Sequence, residues 1–139
     1  MNYRLSCGTD RVKGKNCFVC ESEGRELKSL VFKTISSNMK ENILETIYRG
    51  IKGVRDMVSH NDILCIEVQN QHLCQWLSGE VEYKGYEDYL DKVFSVLESV
   101  DCRYKFVFVK KPYALVYGAN HDLSKEKLLN LDSAFEGMD

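Results

Sequence analysis

The feature that most constrains this chain is a short apolar run, Ile63-Leu64-Cys65-Ile66-Glu67-Val68, with helical periodicity on either side. Six mainly apolar positions, three of them β-branched, are too few for a buried helix and suit a buried strand. Upstream, Ile43, Leu44, Ile47, Tyr48, Ile51, Val54 and Met57 recur at helical spacing within residues 36–58 and make one apolar stripe. Downstream, residues 69–79 read as a short helix stopped by Gly79, and residues 85–100 as a second amphipathic helix with Tyr89, Val93, Phe94, Val96 and Leu97 on or near its inner face. A strand reached and left through helices pairs in parallel with its neighbours.

Before the long helix lie three strand-like runs. Residues 2–8 alternate weakly; residues 16–22 and 26–33 follow, separated by the turn pair Glu23-Gly24. They predict an antiparallel meander. Residues 104–109 supply a further strand, residues 110–122 read as an irregular or hairpin region, and residues 123–135 as a closing helix. The predicted order is βββαβααβα: an α/β (α+β) fold with a mixed sheet of about five strands and helices on its faces.

Length and composition agree with one domain over residues 1–139. Apolar residues make up 44% and charged residues 29%, with a single proline, a balance that supports a packed core rather than a disordered chain. No run has the length of a membrane span and the first residues lack a signal peptide's apolar segment, so a cytoplasmic location and no membrane partner are expected. The six cysteines are then expected as reduced thiols. Cys17 and Cys20 have zinc-knuckle spacing but fall in an apolar strand, where positions three apart point to opposite faces.

A net charge of −2 excludes a globally basic coat and confines any nucleic-acid affinity to local patches. Two exist. Arg11, Lys13 and Lys15 alternate in a glycine-containing loop, and Lys105, Lys110 and Lys111 flank the last strand. Solvated surface charge is the competing reading of both.

Two segments resemble the ribonuclease H family. Residues 36–51, with Ser37-Asn38 four and three residues ahead of Glu41, are similar to the turn that opens that family's first long helix; residues 63–77, ending in Trp76-Leu77, are similar to its fourth strand and following helix. The resemblance implies hydrolysis of RNA in hybrids by two Mg²⁺ ions (or Mn²⁺), roughly 4 Å apart, held by four carboxylates. It implies metal-binding or catalytic roles for Glu41 and for a last carboxylate at Asp122 or Asp132, with Asp132 the metal-ligand candidate beside Glu41. It puts Ser6 or Cys7, and Gln69, where carboxylates are expected. Asp10 and Glu67 are the candidate substitutes, Glu67 sharing a face with Gln69 on a continuous strand. It also implies nucleic-acid contacts from Arg11, Lys13, Lys15, Asn38 and Asn70, while His121 resembles the family's loop histidine only loosely.

Each residue has a plainer reading. Asn38 and Glu41 have the spacing of a capping box in which the carboxylate reaches back to the capping amide; Glu67 pairs with a neighbouring lysine; Asp122 caps a helix. Three functions stay open: a catalytically degenerate module, with no cofactor, that binds an RNA–DNA hybrid, structured RNA or a protein partner; a divergent Mg²⁺- or Mn²⁺-dependent nuclease; and an oligomerisation domain that uses Tyr83, Tyr86 and Tyr89 or a strand edge.

Overall fold

The structure is a computed structural model that describes residues 1–82 and 84–123. Strands β1 (Asn2–Asp10), β2 (Lys15–Ser22) and β3 (Arg25–Lys33) form the antiparallel meander. Glu23 and Gly24 turn between β2 and β3 with φ of 54° and 76°, the pair of left-handed residues that matches a two-residue hairpin to strand twist. Helix α1 (Met39–Val54) crosses to β4 (Ile63–Val68), and α2 (Gln71–Leu77) and α3 (Glu87–Glu98) lead to β5 (Arg103–Phe108). The sheet order is β3-β2-β1-β4-β5, with β4 parallel to both β1 and β5.

Helix α1 lies across β1 and β2, and α3 packs on α1. The main core sits beneath them: Leu5, Leu44, Ile47, Ile51, Leu64, Ile66 and Leu90 are wholly buried there. Glycines set the approach of α1, since a Cβ at Gly50 would fall 3.0 Å from Leu5 Cδ2 and one at Gly53 3.0 Å from Phe18 Cζ. The opposite face of β1 and β2 holds a smaller core of Cys17, Val19, Val31 and Ala114. Cys17 and Cys20 thus serve opposite faces, and all six thiols are free.

Ala114 belongs to α4 (Tyr113–Ala119), a helix where the sequence suggested irregular chain. Gly118 is buried, and a Cβ there would stand 3.2 Å from Cys17 Cβ. Its smallness permits helix-to-sheet contact rather than a turn. The closing helix expected over 123–135 lies, beyond residue 123, outside the described residues. Among those described, no helix is long and apolar enough to cross a membrane.

Candidate functional site

Strands β1, β4 and β5 run the same way, and two antiparallel steps make β3 run with them. The carboxyl ends of four strands therefore share one edge of the domain, where α1 also begins. In open α/β sheets ligands bind outside such strand ends.

At the centre of this edge is a chain of neutral polar side chains. The Thr9 hydroxyl donates to Asn16 Oδ1 at 2.7 Å, and Asn16 Nδ2 donates to Asn42 Oδ1 at 3.0 Å. Asn42 Nδ2 donates in turn to the carbonyls of Ser36 (2.9 Å) and Asn38 (2.8 Å), while its Oδ1 also accepts from Ile35 N at 2.8 Å. Thr46, one turn on, donates to the Asn42 carbonyl. From β4, the Gln69 side chain grips the Thr9 backbone both ways: Oε1 accepts from Thr9 N at 2.8 Å and Nε2 donates to Thr9 O at 3.2 Å. Thr9, Asn16, Asn42 and Thr46 are all buried. Every amide in the chain is satisfied, so burial carries no orphan-group penalty.

Strand and helix register set where each expected site residue lies. Strand parity decides the first-strand position. Tyr3, Leu5, Cys7 and Thr9 face α1, whereas Ser6 faces away and its hydroxyl accepts from Ala114 N at 2.9 Å. Cys7 is core, its thiol pushed well up by burial. Thr9 is the β1 residue whose side chain reaches the start of α1, through Asn16. On α1 the inward residue is Asn42, with Glu41 beside it and half-buried. The Asn38 side chain does cap α1, accepting from Glu41 N at 3.1 Å. The carboxylate of Glu41 does not return to the Asn38 amide; it accepts from the Ser36 hydroxyl at 2.8 Å, and that hydroxyl accepts from Asn38 N at 3.1 Å.

Glu67 lies across from Ser6 and turns to the face away from α1, where its carboxylate stands 3.9 Å from Arg4 Nε. Its partner is an arginine rather than a lysine. Gln69, beyond the end of β4, folds back onto Thr9, so the two do not act together as a continuous strand would arrange them. Asp10 is spent in the hairpin turn, its Oδ1 accepting from Lys13 N at 3.0 Å. Asn70 caps α2 through a 2.9 Å bond from Leu73 N. Asp122 is exposed beyond α4 and caps no described helix, and Asp132 lies outside the described residues. His121 stacks on Tyr117, with ring centroids 3.7 Å apart.

The fit to paired divalent ions can be judged from the donors. Hard cations need several anionic oxygens converging on one point. The strand ends and α1 converge on Thr9, Asn16, Asn42 and Gln69, which are neutral and already bonded to one another. Among the described residues no three of His, Cys, Asp and Glu gather closely enough to hold a metal. The described side chains do not fit a two-metal centre.

Around the neutral centre the rim is basic. Arg11, Lys13 and Lys15 lie on the β1–β2 hairpin, Lys33 ends β3, Lys40 is in the first turn of α1, and Lys110 and Lys111 follow β5, whose end is tied to β4 by Val109 N donating to Val68 O. Among the described residues none of these seven has an ion-pair partner. Lys15 Nζ binds the carbonyls of Gly118 and His121 at the end of α4, and Lys40 lies over the rings of Trp76 and Tyr86. Thr9, Asn16 and Asn42 escape a sequence reading based on charge. The signal for Asn42 is the row Asn42, Thr46, Gly50, which runs at i, i+4 beside the apolar stripe on the sheet side of α1.

No family model matches the chain, and no curated protein does. Solved structures do. The ribonuclease H1 named LC11, in complex with an RNA/DNA hybrid, superposes with a TM-score of 0.63 at 11% identity, over 79% of this chain and 85% of that one. Ribonuclease H1 from the halophilic archaeon Halobacterium salinarum NRC-1 gives 0.57 at 10% identity, over 79% and 85%. The N-terminal ribonuclease H domain of Rv2228c from Mycobacterium tuberculosis, solved as a fusion with maltose-binding protein, gives 0.57 at 8% identity, over 77% and 87%. This chain has the ribonuclease H-like fold.

Proposed function

We propose that this domain is a ribonuclease H-fold module that binds nucleic acid at its basic rim and does not carry out two-metal cleavage. The observation that carries the reading is the saturated Thr9–Asn16–Asn42 chain with Gln69 on Thr9, standing where strand ends and α1 converge. The ligand class is an RNA–DNA hybrid or a structured RNA, since unpaired cations surround the neutral centre and a hybrid is what one similar structure holds. In this reading Arg11 and Lys13 contact phosphates directly, and Asn38 and Asn70 are committed to their helices. The six free thiols support a reducing, cytoplasmic location.

The test is one labelled RNA–DNA hybrid used for both binding and cleavage. Binding is expected to weaken steeply with salt, by about 0.7–0.9 in log–log slope per phosphate neutralised. No cleavage is expected with Mg²⁺ or Mn²⁺, in the native protein or in Glu41→Gln. Cleavage that disappears in Glu41→Gln would establish a divergent nuclease built on Glu41. Absence of salt-dependent binding would point instead to a protein-binding scaffold.

A further inference from the structure

Strand β5 is the last strand in the order of the sheet and has no neighbour on its outer side among the described residues. Helices α1 and α4 cover the two faces of the sheet over β1 and β2, so β5 lies beyond them, with α2 packed against part of it. On the α1 side it shows Tyr104, Phe106 and Phe108, in line with Leu64, Ile66 and Val68 of β4. Tyr104 is 45% exposed and Phe108 40%, while Phe106 is half-buried and meets Tyr104 edge-on at 5.9 Å. On the other side are Arg103, Lys105 and Val107, and just past the strand Lys110 and Lys111, followed by the exposed Tyr113. None of these four cations has an ion-pair partner among the described residues, in a chain whose net charge is −2.

An aromatic row on one side of an edge, cations on the other, and outward backbone amides between them match the two chemistries of a single strand of nucleic acid. Bases offer flat π faces; phosphates offer charge. Alternate residues on a strand are about 6.6 Å apart, so Tyr104 and Phe108 present rings roughly 13 Å from each other with Phe106 between them. A duplex has its bases stacked inside and cannot use such a row. A second copy or another protein strand could pair with the edge, but either would face four uncompensated cations.

We propose that the β5 edge is a track for single-stranded DNA or RNA, with bases stacked on Tyr104 and Phe108 and phosphates held by Arg103, Lys105, Lys110 and Lys111. It rests on the reading of the domain as a nucleic-acid binder, and adds the strandedness and path of one ligand. Because Lys110 and Lys111 belong both to this edge and to the rim, a single strand leaving a duplex held at the rim would meet β5 directly.

The experiment compares oligothymidylate with an RNA–DNA hybrid on the intact chain by fluorescence anisotropy. Tyr104→Ala with Phe108→Ala is expected to weaken single-strand binding at least about tenfold, since each lost base stack costs several-fold or more. Hybrid binding should change less than about twofold. Replacing Lys105, Lys110 and Lys111 by Ala should flatten the single-strand salt slope by up to about 2. Circular dichroism and melting of each variant establish that it is folded, and Tyr104→Phe with Phe108→Tyr, which keeps the rings, should retain binding. Hybrid binding without single-strand binding, or single-strand binding unmoved by loss of both rings, overturns the track and leaves the rim standing. Binding of neither ligand overturns both.

Discussion

Replacing Asn42 by alanine is the perturbation that bears most directly on the neutral centre. The Asn42 side chain makes four hydrogen bonds, accepting from Asn16 Nδ2 and Ile35 N and donating to the carbonyls of Ser36 and Asn38. Truncation orphans those partners unequally. Asn16 is wholly buried, so its amide loses a bond that water cannot readily replace, whereas Ile35 is 40% exposed and water can reach its N–H more easily. The Asn38 carbonyl keeps its helical bond from Asn42 N at 3.2 Å. Leaving a buried polar group unpaired costs roughly 1–3 kcal/mol. One such group, with smaller terms for Ile35 N and Ser36, gives about 2–4 kcal/mol, and a melting temperature lower by about 6 °C or more. The assay is urea unfolding followed by far-ultraviolet circular dichroism, with the m value required to be unchanged. Asn42→Asp separates packing from hydrogen bonding. It keeps the shape but has no donor for the two carbonyls and buries a charge, so it should destabilise at neutral pH as alanine does. A loss below about 1 kcal/mol for alanine would refute the claim that the buried amides hold the strand ends to α1.

Two further predictions follow from packing and burial. Gly50→Ala should cost roughly 1–3 kcal/mol in the same urea assay, because its Cβ would press on Leu5 in the tightest part of the core, and a null effect would mean that α1 can ride outward freely. Burial pushes the Cys17 thiol up to about 12 and the Cys20 thiol up to about 11, from an ordinary 9.0. Above pH 9 the unfolded chain therefore ionises thiols that the folded chain keeps protonated. Stability from these groups is complete below pH 9 and falls as pH rises toward 11–12, and Cys20→Ala should flatten that fall in melting curves taken from pH 8 to 11. A slope unchanged by the substitution would refute burial as its source.

How much could be read in advance depended on whether a pattern repeated. The α1 stripe recurs over four turns, and the helix forms as its spacing requires, with Asn38 at its cap. The opposite orientations of Cys17 and Cys20 follow from strand parity alone, once β2 is taken as a strand. Short elements behaved differently. Helix α4 is under two turns and contains a glycine and a tyrosine pair that also suit a hairpin; only the contact between Gly118 and Cys17 shows why helix wins. The site depended on one further bit of parity. The resemblance admits Ser6 and Cys7 equally, yet neighbouring residues face opposite sides, and the residue that reaches the helix start is Thr9. Glu41 drew attention because it is charged, while Asn42 does the structural work because it is neutral and can be buried.

Neutral amides and carboxylates have nearly the same shape, so the same backbone can present either at the end of β4 and the start of α1. Their energetics differ in kind. Carboxylates brought within a few ångströms repel one another and depend on bound cations or protons to coexist. In the chain from Thr9 to Asn42 each amide oxygen instead meets an N–H or O–H, and each amide nitrogen donates to an oxygen, so the convergence is self-sufficient. Gln69 extends this by clamping the end of β1 to β4 through its amide, a two-way bond that an ionised carboxylate, having no donor, cannot make. Substituting a single carboxylate into this centre would therefore break existing bonds before it created a ligand. Conversion to a metal site would need several changes together, while the surrounding lysines require none to attract a phosphate backbone. That asymmetry is the physical reason to look for this domain's function at its rim and edge rather than at its centre.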